Sequence, residues 1–105
     1  MGIFGVPDSS ITPKAEMSTD SFILAQERVE TLTARPTNDE LLNLYGLFKQ
    51  ATLGDCLQRS PGIFDLKGQA KWKAWMGRKG MPTADAADAY VKAVDDLLAR
   101  YPHKD

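Results

Sequence analysis

Four stretches of the chain place apolar residues three and four positions apart, the spacing that gathers side chains on one face of an α-helix. Phe22, Ala25, Val29 and Leu32 predict a first helix from about Thr19 to Thr33, with Asp20 suited to its first turn and Pro36 closing it. Thr37-Asn38-Asp39-Glu40 is a capping box opening a second helix, which runs to about Leu53 and stops at Gly54. Trp72, Trp75 and Met76 mark a short third helix over about Gly68 to Lys79, ended by Gly80. Pro82 or Thr83 opens a fourth, whose stripe of Ala86, Tyr90, Val94, Leu97 and Tyr101 is stopped by Pro102. Between the second and third helices, residues 55–66 form a loop with a Pro61-Gly62 turn. Its Leu57, Ile63, Phe64 and Leu66 predict that it packs down onto the helices. Residues 1–17, with Gly2, Gly5, Pro7, Ser9, Ser10 and Pro13 and no sustained period, read as a flexible leader. Nothing reads as a strand. The expectation is an all-α domain over residues 18–105, a four-helix bundle.

The second helix carries more apolar surface than a core contact requires. At 100° per residue, Leu41, Leu44, Leu47, Phe48 and Ala51 form one arc, and Leu42, Tyr45 and Leu53 widen it. Asn43 and Gln50 mark the solvent side. Lys49 falls inside the widened arc, one turn after Tyr45, among apolar residues rather than charges. Such a lysine is either a snorkelling side chain over apolar surface or an anion hook at the mouth of a groove. Two features weigh on that choice. Residues 67–79 hold Lys67, Lys71, Lys73, Arg78 and Lys79 with no acid, which is either a solvated helix face or a local positive patch. Tyr90 brings a hydroxyl into the fourth stripe, and that group needs a partner if buried.

Composition narrows the classes. The 105 residues, 43% hydrophobic and 26% charged, suit one globular domain, and a net charge of −1 gives no general pull toward nucleic acid or membrane. An apolar run long enough to span a bilayer is absent, so stable membrane insertion is not expected. Met1-Gly2 begins like a myristoylation signal, but Val6 stands where Ser or Thr is wanted. The single Cys56 excludes an internal disulfide and a thiolate metal site, and suits a cytoplasmic location. For catalysis, Cys56 and the single His103 are far apart, His103 falls in a terminal tail expected to fray, and no motif pairs two carboxylates. No catalytic residue, metal or cofactor is therefore expected. A helical interaction module with a weak basic patch is the alternative. Nucleic-acid binding through Trp72 and Trp75 is disfavoured, because both share the apolar face with Met76.

Two blocks then carry a resemblance. Leu42-x-Leu44-Tyr45-Gly46-Leu47-Phe48-Lys49-Gln50-Ala51-Thr52-Leu53-Gly54-Asp55 closely resembles the signature of the acyl-CoA-binding protein family. Pro61-Gly62, followed by Asp65-x-Lys67-Gly68-x-Ala70-Lys71-Trp72-x-Ala74-Trp75, resembles that family's second block. The resemblance runs from about Ser18 to Tyr101. It implies an antiparallel four-helix bundle that binds medium- and long-chain acyl-CoA as a monomeric carrier in lipid metabolism. Such a carrier leaves room for transient contact with acyl-CoA-using enzymes or membranes. It further implies that Tyr45, Lys49 and Lys71 hold the 3′-phosphate of coenzyme A. Phe48 and Tyr90 would lie near the adenosine, and Ala25, Leu41 and Leu42 would line the acyl groove. The chain departs from the family pattern at Glu30 and Gln69, where lysine is frequent, at Phe48, commonly tyrosine, and at Ser60, usually arginine. These departures weaken the positive field and predict lower affinity or a shifted chain-length preference.

Overall fold

The computed structural model describes residues 13–104, with side chains from residue 20 onward. Four helices make up the fold: α1 (Pro13–Val29), α2 (Asn38–Leu53), α3 (Leu66–Met76) and α4 (Thr83–Arg100). Among the described residues there is no strand, and no helix is long and apolar enough to cross a membrane. The leader predicted over residues 1–17 lies mostly outside the described residues. Its last part, from Pro13, belongs to α1, proline being well suited to a first helical position.

Local signals account for the helix ends. The Thr37 hydroxyl accepts from the Glu40 N–H at 3.1 Å while the Glu40 carboxylate accepts from the Thr37 N–H at 2.9 Å, so both halves of the capping box form. Gly54 closes α2 at φ 80°, a left-handed conformation open to glycine. The Asp65 carboxylate caps α3 by accepting from the Gly68 N–H at 2.9 Å, which starts that helix two residues before the glycine predicted to open it. At the other end of the fold, α1 stops at Val29 rather than Thr33. The chain there turns to pair with the C-terminal segment: the Thr33 N–H donates to the Pro102 carbonyl, and the Lys104 N–H to that of Thr31, each at 2.9 Å. The tail holding His103 is therefore tied down through an isolated Leu32–His103 bridge, contrary to the fraying expected of it.

Helix α4 is the central element, packing on both α1 and α2, while α3 packs on a different face of α2. Arg100 at the end of α4 pairs with Glu40 at the start of α2 at 2.6 Å. The Gln50 amide near the end of α2 donates to the carbonyl of Met81, just before α4, at 2.9 Å. These two ties set α2 and α4 antiparallel. By contrast α1 and α4 run the same way, as the Phe22–Tyr90 ring contact and the Arg28–Asp95 ion pair at 3.1 Å show in order along both helices. The core unites Ala25, Leu44, Leu47, Tyr90, Val94 and Leu97, from the apolar faces that periodicity marked on the first, second and fourth helices, with Leu98, which lay outside the marked stripe.

Two expectations are corrected. Gln50, assigned to the solvent side of its helix, is 1% exposed. Its amide nitrogen also donates to the Asp55 carboxylate at 2.8 Å, so the buried group anchors the chain on either side of α3. The 55–66 loop does not pack its apolar side chains inward: Leu57, Ile63, Phe64 and Leu66 are all largely exposed. Polar ties set its course instead. The Trp75 and Trp72 indole N–H groups donate to the Gly54 and Gln58 carbonyls at 2.8 and 2.9 Å, and Cys56 alone in this stretch turns its side chain into the interior.

Candidate functional site

Where α2 faces the N-terminal half of α3, the surface opens into a groove of about 460 Å³, within the ordinary range for small-molecule sites. Leu41 and Leu42 of α2 and Ala70 of α3 give it an apolar lining, and Tyr45, Lys71, Lys67, Arg35 and Asn38 supply its polar groups. The groove exists because α3 comes very close to α2 beside it. A Cβ built on Gly46 would lie 2.8 Å from the Ala74 carbonyl carbon and nearer still to its oxygen, so only glycine permits this crossing.

The charged end of the site gathers round one ring. The ammonium of Lys49 lies 5.8 Å from the Tyr45 ring centroid, and that of Lys71, arriving on α3, lies 5.5 Å from the same centroid. Lys49 also sits 5.2 Å from the ring of Trp75, which is held in place by its bond to Gly54. Among the described residues neither lysine has a carboxylate partner. Cation–π contacts steady each ammonium while leaving its donors available. Two like charges near one ring repel each other, and a bound anion would relieve that repulsion.

A second cluster stands where α1, α2 and α4 meet. Phe22 stacks on Phe48 with centroids 5.9 Å apart, and Tyr90 meets Phe22 edge-on at 5.1 Å and Phe48 at 6.2 Å. Burial first, and the charge of Glu30 second, push the Tyr90 phenol above its ordinary pKa, so it stays protonated at neutral pH.

Of the residues singled out from sequence, the fold brings Tyr45, Lys49 and Lys71 together, sets Leu41 and Leu42 in the groove, and places Phe48 and Tyr90 in the neighbouring aromatic cluster. Ala25 is buried in the core and is not among the groove-lining residues. Sequence reasoning did not single out Arg35 or Asn38, which line the groove and bond to each other at 3.2 Å, nor Trp75 as the second ring under Lys49. Lys67 lay within the basic run, which was its signal.

A helical bundle with an apolar groove beside two ammonium groups that lack a carboxylate partner among the described residues is the layout of a binding protein for an amphipathic anion. The comparisons with known proteins name the family. The model of the family described as "Acyl CoA binding protein" matches residues 19–94. Acyl-CoA-binding protein homolog 1 of Caenorhabditis elegans is 54% identical over 83 residues, covering 79% of this chain and 96% of that protein. The Drosophila melanogaster homologue is 47% identical, over 81% of this chain and 99% of its own length. Among solved structures, acyl-CoA-binding protein 2 of Oryza sativa superposes with a TM-score of 0.79 at 36% identity, over 82% of this chain and 94% of that one. The chain belongs to the acyl-CoA-binding protein family.

Proposed function

We propose that the protein binds medium- and long-chain acyl-CoA thioesters and carries them unaltered, as a monomeric cytoplasmic buffer serving lipid metabolism. The observation that carries this reading is the pair of ammonium groups, Lys49 and Lys71, over the Tyr45 ring at one end of an apolar groove. The two ammoniums and the Tyr45 hydroxyl are donors suited to a phosphate dianion. Leu41, Leu42 and Ala70 offer the acyl chain a surface that water wets poorly. Phe48, only partly buried, offers aromatic surface to the adenine, and Tyr90, buried in the core, backs that ring. Among the described residues the groove is lined by Arg35, Asn38, Leu41, Leu42, Tyr45, Lys67, Ala70 and Lys71, a set suited to holding a ligand, while Cys56 is free and buried away from it.

Both halves of the ligand are needed. A dozen buried methylenes contribute at most about 10 kcal/mol, at about 0.8 kcal/mol each. Association itself costs on the order of 4–15 kcal/mol, so the apolar half alone does not secure tight binding. Each charge-assisted hydrogen bond to phosphate adds about 1.5–3 kcal/mol. Calorimetric titration of the purified chain with palmitoyl-CoA, dephospho-palmitoyl-CoA, free CoA and palmitate tests the reading. Palmitoyl-CoA should bind tightly and the other three should bind much less well. Lys49→Ala and Lys71→Ala should each weaken palmitoyl-CoA binding by more than tenfold while the circular dichroism spectrum is unchanged. Wild-type affinity in both variants would overturn the phosphate assignment, and release of free thiol from palmitoyl-CoA by the pure protein would overturn carriage without chemistry.

A further inference from the structure

From Leu57 to the first residue of α3, Leu66, the chain spends its large apolar side chains on solvent. Phe64 is 92% exposed, Leu57 89%, Ile63 75% and Leu66 74%, values at which almost nothing in the molecule shades them. Polar contacts behind them fix the loop that carries them. Gln69 donates to the Gly62 carbonyl at 2.9 Å, Trp72 to that of Gln58, and the Asp65 N–H closes a turn on the Gly62 carbonyl at 3.0 Å. The exposure therefore belongs to the loop's built shape. An apolar group of this kind on a monomer marks a contact surface.

Charge selects the partner. From Leu57 to Lys79 the chain carries Arg59, Lys67, Lys71, Lys73, Arg78 and Lys79 against one acid, Asp65, in a protein whose net charge is −1. The Asp65 carboxylate is engaged in capping α3. Basic residues such as Arg59 and Lys67, adjoining protruding apolar side chains in the sequence, are the chemistry of a surface that enters the interface of an anionic bilayer. A fluid lipid boundary receives separate protrusions such as Phe64 and Ile63 without a matching pocket, which a folded protein partner would have to provide.

We propose that Leu57, Ile63, Phe64 and Leu66, flanked by Arg59 and Lys67, dock the protein on anionic lipid surfaces. Lys67 borders this patch and also lines the groove, so docking turns the mouth of the groove toward the lipid. That orientation suits exchange of a membrane-partitioned acyl chain, a consequence that rests on the carrier reading; the docking itself does not.

Sedimentation of the ligand-free full chain with vesicles tests the proposal. Vesicles of equal parts phosphatidylcholine and phosphatidylserine should carry the protein down, and vesicles of phosphatidylcholine alone should do so much less. The double variant Ile63→Ser with Phe64→Ser should bind the anionic vesicles at least tenfold more weakly, yet keep wild-type affinity for palmitoyl-CoA in vesicle-free buffer. The proposal is overturned if the wild type stays in the supernatant, if it sediments equally with both vesicles, or if the double variant sediments as the wild type does. Self-association of the wild type that the double variant abolishes, without vesicle binding, would assign the patch to protein contact instead. Vesicle binding in a protein that fails to bind palmitoyl-CoA would leave docking standing and overturn only the carrier reading.

Discussion

Replacing Gly46 by alanine sets two effects of opposite sign against each other. In a helix with room for a methyl group, glycine to alanine stabilises by about 1 kcal/mol, through intrinsic propensity and a less flexible unfolded chain. At Gly46 the added Cβ would stand 2.8 Å from the Ala74 carbonyl carbon. Carbon atoms rest about 3.5–4.0 Å apart, so α3 would have to retreat by roughly 1 Å. The obstacle is backbone, which cannot rotate aside as a side chain could. Overpacking of this kind costs about 1–3 kcal/mol, more than the gain in propensity through most of that range. We expect Gly46→Ala to be net destabilising by up to about 2 kcal/mol, lowering Tm by up to about 15 °C on the usual scaling for a domain of this size. Because α3 carries Lys71, the retreat should also draw one ammonium away from Tyr45 and weaken palmitoyl-CoA binding by about threefold to tenfold, for a partial loss of one charge-assisted bond. Urea denaturation followed by circular dichroism, paired with calorimetry, reads both effects. A variant with a higher urea midpoint than the parent and unchanged affinity would refute the claim that the close approach of α3 to α2 builds the site.

Two further outcomes follow from the charges. Glu40 has its pKa lowered to about 2, first by the hydrogen bond from the Tyr101 hydroxyl, then by the Thr37 N–H and Arg100. Its folded pKa lies below the unfolded value, so its contribution is complete above the ordinary carboxylate range and is lost as pH falls toward 2. Asp55, lowered by the Gly80 N–H and then by Gln50, acts in the same direction. Thermal melts across that acid range should show the loss in the wild type, and Glu40→Gln should make the profile shallower; an unchanged slope would sink the assignment. Glu30→Lys should tighten palmitoyl-CoA binding by roughly threefold to tenfold, since it reverses an exposed charge in a site for an anion. The same change should lower the Tyr90 pKa, because the Glu30 charge helps to hold it up; absorbance titration of the tyrosines checks this. A Tyr90 titration and an affinity that both stay put would show that Glu30 lies outside the field of the site.

Features encoded within one or two helical turns were legible before the structure. The Thr37–Glu40 box, the stop at Gly54 and the α4 stripe all depend on residues a few positions apart. Lys49 stood out among apolar neighbours, either as a snorkelling side chain or as an anion hook, and the fold sets it beside the Tyr45 and Trp75 rings. Gln50 was misplaced because periodicity on a single helix identifies one buried face, whereas α2 is covered by α4 on one face and α3 on another. The residue between those two faces is also sealed, and its amide is bonded to Asp55 and Met81. The 55–66 loop was misread for a related reason. Its apolar content suggested burial, yet its path is set by indole donors 14 and 21 residues away from the carbonyls they reach. Bonds of that span leave no periodic trace. Arg35 and Asn38 escaped notice likewise, since a groove lining them depends on where α3 lands.

The ion pairs of the molecule divide by purpose. Arg28 with Asp95 and Arg100 with Glu40 and Asp96 tie helices together or staple α4, and each cation there has its carboxylate. Among the described residues Lys49 and Lys71 have none, and both lie near one tyrosine ring. A fold seeking only stability would separate two such ammoniums or place an acid between them, since the repulsion persists in the free protein. Cation–π contacts at exposed sites return only about 0.5–1 kcal/mol each. The arrangement becomes favourable when an anion binds beside the two lysines, and the ligand then stabilises the folded state by mass action. Removing either lysine should for that reason leave the ligand-free protein at least as stable as before, while removing the stabilisation that palmitoyl-CoA confers. Loss of stability in the free Lys49→Ala protein would place this lysine with the structural pairs instead.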